Sequence, residues 1–140
     1  MSPILHRATF LQRLADGDAT RDVEFSNLVI SICAATIASL RRKSSAYHEV
    51  ITVRRCMELI ASTESGAPRQ QFTLEWCQMK YNLSVAFFSE RGMDSPESFH
   101  LMFEAVAGVR YLIYYGRPQL PFPTQQLLKR LYWLLFAGQW

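Results

Sequence analysis

Histidine and cysteine are the residue types of this chain that most often bind metals or act in catalysis, and neither is clustered. The three histidines lie far apart and match no zinc-ligand spacing: His6, His48 and His100. The three cysteines form no CxxC pair, and each falls in an apolar helical stripe where a free thiol packs as a small hydrophobe: Cys33, Cys56 and Cys77. No GxSxG, Walker or GxGxxG sequence occurs either. We therefore expect a protein that is not an enzyme and that carries no metal or cofactor in this chain.

The densest group of aromatic residues on one predicted helix is a tyrosine cluster beside Arg110: Tyr111, Tyr114 and Tyr115. One interpretation is a packed core, with the hydroxyls reaching its edge. The other is a small-molecule or peptide pocket between helices, where all-α domains usually bind ligands. Spacing does not decide between them. The candidate pocket residues are Tyr111 and Tyr115, and a small helical enzyme or ligand carrier would depend on this pocket alone.

The C-terminal stretch LLKRLYWLLFAGQW, residues 127–140, is apolar and aromatic where natural domains usually end in frayed polar residues. An open apolar helix face usually marks an association site. We therefore predict a partner interface on a terminal helix, facing either a protein partner or a second copy of the chain. Its candidate residues are Trp133, Leu134, Phe136 and Trp140, with Leu131 and Leu135 on the same predicted face.

Length and composition bound the function class. The 140 residues suit a single domain, which at this size buries about 68–70% of its unfolded surface. The net charge of +3 comes from fifteen basic and twelve acidic residues spread along the chain, so we expect no direct nucleic-acid contact. The longest apolar segment, residues 28–40, is shorter than the roughly 20 residues that a membrane span requires. An odd cysteine count without a leader peptide favours an intracellular compartment.

Apolar residues recur at helical spacing throughout, and no segment alternates as a half-buried strand does. The sequence therefore predicts an all-α fold of about six helices in one domain. Predicted N-caps are Asp22, Ser44 or Ser45, Thr73, Ser95 and Thr124. The expected helices cover about 9–15, 23–42, 44–62, 74–92, 96–115 and 124–138.

These helices should pack as antiparallel pairs. The fourth and fifth are joined by a short turn and should form an αα-hairpin, as should the second and third. The loop-like segment 61–72 joins the two pairs. The sixth helix would begin a third pair whose second member is absent, which is why its apolar face needs a partner.

Four stretches together resemble the middle homology region of fungal zinc-binuclear-cluster transcription factors. HRATF, followed by RDVEFSNLVISICAATIASL, is similar to the opening of that region. YNLSVAFFSERGMDS and EAVAGVRYL resemble its next two helices, and LLKRLYWLLFAG resembles its Lys-Arg-x-Tyr/Phe-Trp helix. Their order covers nearly the whole chain, although each stretch is mostly a packing pattern.

The resemblance implies an all-helical regulatory domain that acts in the nucleus downstream of a DNA-binding module and controls transcription through partner or ligand contacts. It places zinc and DNA contacts in a separate N-terminal six-cysteine module, to which no residue here corresponds. The family's region continues past the Lys129-Arg130-Leu131-Tyr132-Trp133 helix, so the chain resembles a version truncated on its C-terminal side. The alternative is a stand-alone helical protein that dimerises or binds a full-length regulator.

Overall fold

The computed structural model describes residues 5–43, 52–64, 71–91, 96–116 and 119–138, of which the side chains at 40–43, 90–91 and 137–138 are not described. Within these ranges the chain forms six α-helices and no strand, which confirms the all-α prediction. A 3₁₀ turn at Asp18–Thr20 joins the first two helices, and a π-helical turn at Leu112–Gly116 continues the fifth. The helices are α1 (Arg7–Ala15), α2 (Val23–Lys43), α3 (Val53–Ala61), α4 (Leu74–Arg91), α5 (Pro96–Tyr111) and α6 (Phe122–Gly138).

Side-chain caps fix the starts of several helices. The Asp22 carboxylate accepts hydrogen bonds from the backbone N–H groups of Glu24 and Phe25 at 3.0 and 3.2 Å, which confirms the predicted cap of α2. Thr73 caps α4 as predicted, because its hydroxyl accepts from the N–H of Trp76 at 3.2 Å. These caps were predictable because each needs only a short polar side chain two or three residues before a free N–H group.

Three helix starts differ from the predictions. The imidazole of His6 accepts from the N–H of Thr9, so α1 begins two residues earlier than expected. Thr52 caps α3, which places the described start of that helix at Val53, while the predicted caps Ser44, Ser45 and Ser95 lie outside the described residues. Thr124 caps nothing, because α6 already begins at Phe122 and the carbonyl of Pro121 accepts from the N–H of Gln125.

Both predicted hairpins are present, one formed by α4 and α5 and the other by α2 and α3. The Ser98 hydroxyl donates to the carbonyl of Ser84 at 2.9 Å near the turn, and Gly108 meets Cys77 farther from it, so α4 and α5 run antiparallel. The α2–α3 pair is linked by Asn27, whose amide donates to Thr63 at 2.9 Å.

A polar contact inside the core joins the two hairpins. The Asn82 amide of α4 donates to the Ser31 hydroxyl of α2 at 3.2 Å, and both residues are buried. The Ser31 hydroxyl in turn donates to the carbonyl of Leu28, so these buried polar groups have partners. α4 packs extensively against both α2 and α5, and it therefore occupies the centre of the fold.

Two of the three cysteines pack as predicted. Cys56 and Cys77 are buried, and burial, followed by the influence of Cys33, raises the pKa of the Cys56 thiol. Cys33 is exposed, so the prediction of a buried thiol is wrong there. It lies close enough to Cys56 of α3 to influence that thiol and is still open to solvent, and a sequence that is apolar around most of a helix does not reveal which positions stay exposed.

A close approach at Gly108 holds α5 against α4. A Cβ at this position would lie 2.6 Å from the Cys77 Sγ and about 3 Å from the rings of Trp76 and Phe72. Cys77 is fully buried, and its short side chain has few ways to move aside. Only a glycine fits at this crossing, which fixes how close α5 and its C-terminal turn come to α4.

Gly108→Ala should lower the free energy of unfolding by about 1–2 kcal/mol, since overpacking of about 1–3 kcal/mol outweighs the gain of roughly 1 kcal/mol in helix propensity. Urea unfolding measures the change. Ala107→Ser, on the exposed neighbouring residue, should stay within about 0.5 kcal/mol. In a Cys77→Ala background the penalty at residue 108 should shrink, and an equal penalty in both backgrounds would contradict the steric explanation.

Candidate functional site

The predicted interface on α6 divides into a buried and an exposed face. Leu131 and Leu135 are core residues, so their assignment to a partner interface is wrong. Trp133 and Phe136 point outward and are 65% and 43% exposed, while Leu134 is half-buried against the core. Trp140 lies outside the described residues.

The exposed side of α6 carries a cluster of three rings, which we call the α6 aromatic cluster: Tyr132, Trp133 and Phe136. Tyr132 and Phe136 stack with centroids 6.4 Å apart. Trp133 meets both of them edge-on at 6.0 Å. Rings that support one another in this way present a broad apolar surface with little side-chain freedom to lose on binding, which is typical of association sites.

A groove runs between α5 and α6 beside this cluster. It consists of two adjoining cavities of about 190 and 300 Å³ that share Arg110 and Tyr132 as lining residues. We call it the α5–α6 groove. Its aliphatic floor is formed by Val106, Val109, Ile113, Leu128 and Leu135.

The walls of the α5–α6 groove are aromatic and basic. Rings of the α6 aromatic cluster form one wall, Tyr114 stands on the other, and Gln125 completes the lining. Arg110 comes from α5 and Lys129 from α6, so a cation lies on each side, and the lining contains no carboxylate. Neither cation forms an ion pair with a carboxylate of the described ranges, so both are available to an anionic partner.

The basic character of this region has a sequence signal that the composition alone does not reveal. All twelve acidic residues occur at or before Glu104, and the remaining residues carry four basic side chains and no acidic one. Net charge averaged over the chain hides this asymmetry. Counting charge by segment would have pointed to this basic C-terminal part of the sequence, from which Arg110 and Lys129 line the groove.

The tyrosine cluster lies on the surface, so its interpretation as core is wrong. Tyr111, Tyr114 and Tyr115 are 48%, 66% and 72% exposed. Tyr111 sits 5.3 Å from both Phe72 and Tyr115, which makes a row of tilted rings along the end of α5. Tyr114 lines the α5–α6 groove, whereas the predicted pocket residues Tyr111 and Tyr115 do not. The backbone turns into a π-helix at residue 112, and this change redirects Tyr114 and Tyr115 in a way that α-helical spacing does not predict.

The densest group of charges in the described residues surrounds Arg13, far from the groove along the chain. Its guanidinium pairs with Asp18 and Asp22 at 3.0 Å each and with Glu75, and it lies 4.0 Å from the centroid of the Phe25 ring. The cluster joins α1 to α2 and α4. It is partly exposed and internally paired, so we interpret it as a structural link between these helices.

The two carboxyl groups of Glu75 and Asp18, both beside Arg13, have pKa values shifted in opposite directions. Burial raises the pKa of Glu75 above its ordinary 4.5, against the opposing effect of Arg13. Hydrogen bonds from Arg13 and Arg21 hold the pKa of Asp18 below its ordinary 3.8. Protonated Glu75 is therefore favoured by folding, and its contribution to stability is lost as the pH rises through the raised pKa. The contribution of Asp18 is present above 3.8 and is lost as the pH falls through the lowered pKa.

Glu75→Gln should consequently remove a contribution to the free energy of unfolding that becomes smaller as the pH rises. The stability of the original chain minus that of Glu75→Gln, measured by urea unfolding, should fall as the pH rises above the ordinary pKa of 4.5. The same difference for Asp18→Asn should instead fall as the pH drops below about 4. Two differences that change in the same direction with pH would contradict the assignment of the two pKa shifts.

A buried lysine, Lys80, links α4 to the segment that follows α3 and to α5. Lys80 lies 3.3 Å from Glu104 and 3.5 Å from Glu64, with its ammonium 5.4 Å from the centroid of the Trp76 ring. Glu104 also meets His100 at 3.4 Å. Glu104 therefore pairs with Lys80 and His100 and does not line the groove. It does not neutralise the charges of Arg110 and Lys129.

Among the residues that the structure describes, no three histidine, cysteine or acidic side chains converge as metal ligands. In the same part of the chain, no helix combines the length and apolar character needed to cross a membrane. The described surface instead offers exposed aromatic clusters, which suit an interaction surface. Compared with protein-family models, curated proteins and solved structures, the chain shows no significant match.

Proposed function

We propose that this chain is a regulatory domain that works by binding a partner through the α6 aromatic cluster and the α5–α6 groove. The observation that carries the proposal is Trp133, which stands 65% exposed beside an open apolar groove. Monomeric proteins rarely leave such rings against an open apolar surface without a binding role. Aromatic anchors of this kind also supply most of the binding energy in protein interfaces.

The setting we propose is a fungal transcription factor. Support comes from the ordered resemblance of four stretches to the middle homology region of zinc-binuclear-cluster factors, and from the helical fold that such a region requires. In this setting the chain acts in the nucleus, zinc and DNA contacts belong to a separate module, and partner or ligand binding alters transcription.

A reporter assay tests the proposal. The full chain, fused to a DNA-binding module with an activating segment, should change reporter transcription relative to the module without it. Trp133→Ala should reverse that change. Phe103→Ala is the matched control, because Phe103 is an equally exposed ring (63%) that lies on α5 outside the groove lining.

Protein levels and helical circular dichroism must match among the variants. Reporter output that is the same with and without the chain would refute a regulatory role. A change that survives Trp133→Ala but disappears with Phe103→Ala would place the function on another surface.

A second candidate is a stand-alone protein that associates with itself through α6, which the exposed rings Trp133 and Phe136 also favour. Sedimentation equilibrium of the full chain decides it. A dimer that Trp133→Asp converts to a monomer would support self-association, whereas a monomer at high concentration would remove it.

A further inference from the structure

We infer that the α5–α6 groove receives an amphipathic helix from a protein partner, about two turns long, whose acidic residues reach Arg110 and Lys129. The inference rests on the proposed function, because this groove is the partner surface proposed there. It adds the shape and the charge of the partner.

The dimensions of the floor fit two turns of helix. Val106 and Ile113, along α5 and its C-terminal turn, are seven positions apart, as are Leu128 and Leu135 on α6, which corresponds to about 10 Å at 1.5 Å per residue. A helix laid in such a groove contributes anchors at positions i, i+3 or i+4, and i+7, which cover the same length.

The walls of the groove fit a helix better than a small molecule. Trp133 and Tyr114 stand at its edges and are themselves mostly exposed, so the groove is open along its length. A small-molecule site instead encloses about 70–90% of its ligand. Packing of a partner's apolar face would cover these rings together with the aliphatic floor.

Charge specifies what flanks that apolar face. Arg110 and Lys129 stand on opposite helices, neither pairs with a carboxylate of the described ranges, and no acidic residue follows Glu104 in the sequence. A helix with Glu or Asp on both sides of its apolar stripe places a carboxylate near each cation. The guanidinium of Arg110 suits a bidentate carboxylate contact, and the ammonium of Lys129 suits a point charge.

The same charges argue against a second copy of the chain and against nucleic acid. A twofold dimer through the groove brings a surface against itself, so Arg110 and Lys129 would meet their own counterparts without acidic partners. Single-stranded nucleic acid needs a basic track with rings exposed for stacking. Here only two cations line the groove, and its floor is aliphatic.

The experiment uses a displayed library of helix-forming peptides, randomised at both the apolar and the flanking positions. Binders to the full chain are selected and then counter-selected against the Trp133→Ala variant. We expect enriched peptides with apolar residues at helical spacing and Glu or Asp on the flanks. Fluorescence anisotropy of one enriched peptide should show that Trp133→Ala weakens binding about thirtyfold, as loss of a central aromatic anchor does. Phe103→Ala should leave the affinity unchanged.

A charge exchange then tests the role of the two cations. Arg110→Glu combined with Lys129→Glu should weaken the acidic peptide at least about tenfold, and a version of that peptide with Lys at the flanking positions should recover about tenfold on the doubly reversed chain. Because Arg110 is exposed and Lys129 is only half-buried, the doubly substituted chain should keep its helical circular dichroism. This recovery separates a charge contact from loss of fold.

Several outcomes would overturn the inference. They are enrichment of basic or neutral flanks, absence of any peptide that depends on Trp133, self-association of the chain through the groove, and tighter binding of a single-stranded oligonucleotide than of the peptide. If one of these outcomes is found and Trp133→Ala still alters reporter transcription, the inference of an acidic amphipathic helix is refuted while the proposed regulatory function stands. A reporter that never responds refutes the proposed function itself.

Discussion

Leu131→Ala should lower the free energy of unfolding by about 2–5 kcal/mol, whereas Trp133→Ala, two residues later on the same helix, should change it by no more than about 0.5 kcal/mol. Leu131 has no exposed surface and lies on the side of α6 that faces the core, while Trp133 is mostly exposed. Removing a buried leucine side chain forfeits its transfer free energy and leaves a cavity that neighbouring helices fill only in part. Removing an exposed ring does neither.

Urea unfolding of the two variants at the same pH measures both quantities. The contrast matters for function, because it separates residues that hold α6 in place from residues that are free to bind a partner. Leu134→Ala should fall between the two, since Leu134 is half-buried against the core. Equal losses for Leu131→Ala and Trp133→Ala would mean that α6 is rotated from the position described, and the α5–α6 groove would then be lined by different residues.

The position of α6 shows where sequence reasoning reached its limit. A helix with leucines and aromatic rings on most sides has no single apolar stripe, so periodicity alone does not identify its buried face. The core face is selected by the contacts of α6 with α5 and α4, which are tertiary. Leucines occupy that face, and the rings that the sequence placed beside them face outward.

Local chemistry was more predictable than relative position. Asp22 and Thr73 cap their helices because a short polar side chain needs only its own neighbours to reach a free N–H group. Thr124 is also a good capping residue, but the Pro121 carbonyl starts α6 before it, and Pro123 tolerates the first turn, where its missing N–H costs nothing. The sequence offered two acceptable starts, and the structure takes the earlier one.

The groove could not have been predicted from spacing, because it depends on how far α6 lies from α5. Gly108 brings α5 close to α4, and no equivalent small residue lines the side of α5 that faces α6. α5 accordingly shares far less surface with α6 than with α4, and the space between them remains open. The charge of that space was in the sequence from the start, in the absence of any acidic residue after Glu104.

The second large effect is expected at Phe25, where Phe25→Ala should cost about 3–5 kcal/mol of unfolding free energy. The Phe25 side chain is 1% exposed, its ring lies 5.5 Å from that of Phe10, and the Arg13 guanidinium covers one face at 4.0 Å. Loss of the ring opens a cavity and removes a ring pair and a cation–π contact, worth roughly 0.5–1.5 and 0.5–2 kcal/mol respectively.

Two further variants separate these contributions. Phe25→Leu keeps most of the volume and should cost clearly less than Phe25→Ala, because the cavity is largely filled. Phe99→Ala removes an exposed ring from α5 and should stay within about 0.5 kcal/mol. A loss at Phe25→Ala no larger than the loss at Phe99→Ala would contradict the packing of α1 against α2.

The same substitution links the core to the charges around Arg13. The Phe25 ring holds the guanidinium where it reaches Asp18, whose pKa is lowered first by that hydrogen bond. In Phe25→Ala the guanidinium loses its apolar support, so the pKa of Asp18, followed by NMR titration, should rise toward its ordinary 3.8. An unchanged Asp18 pKa would show that the carboxylates alone position Arg13, and that the ring contributes to stability only through its packing.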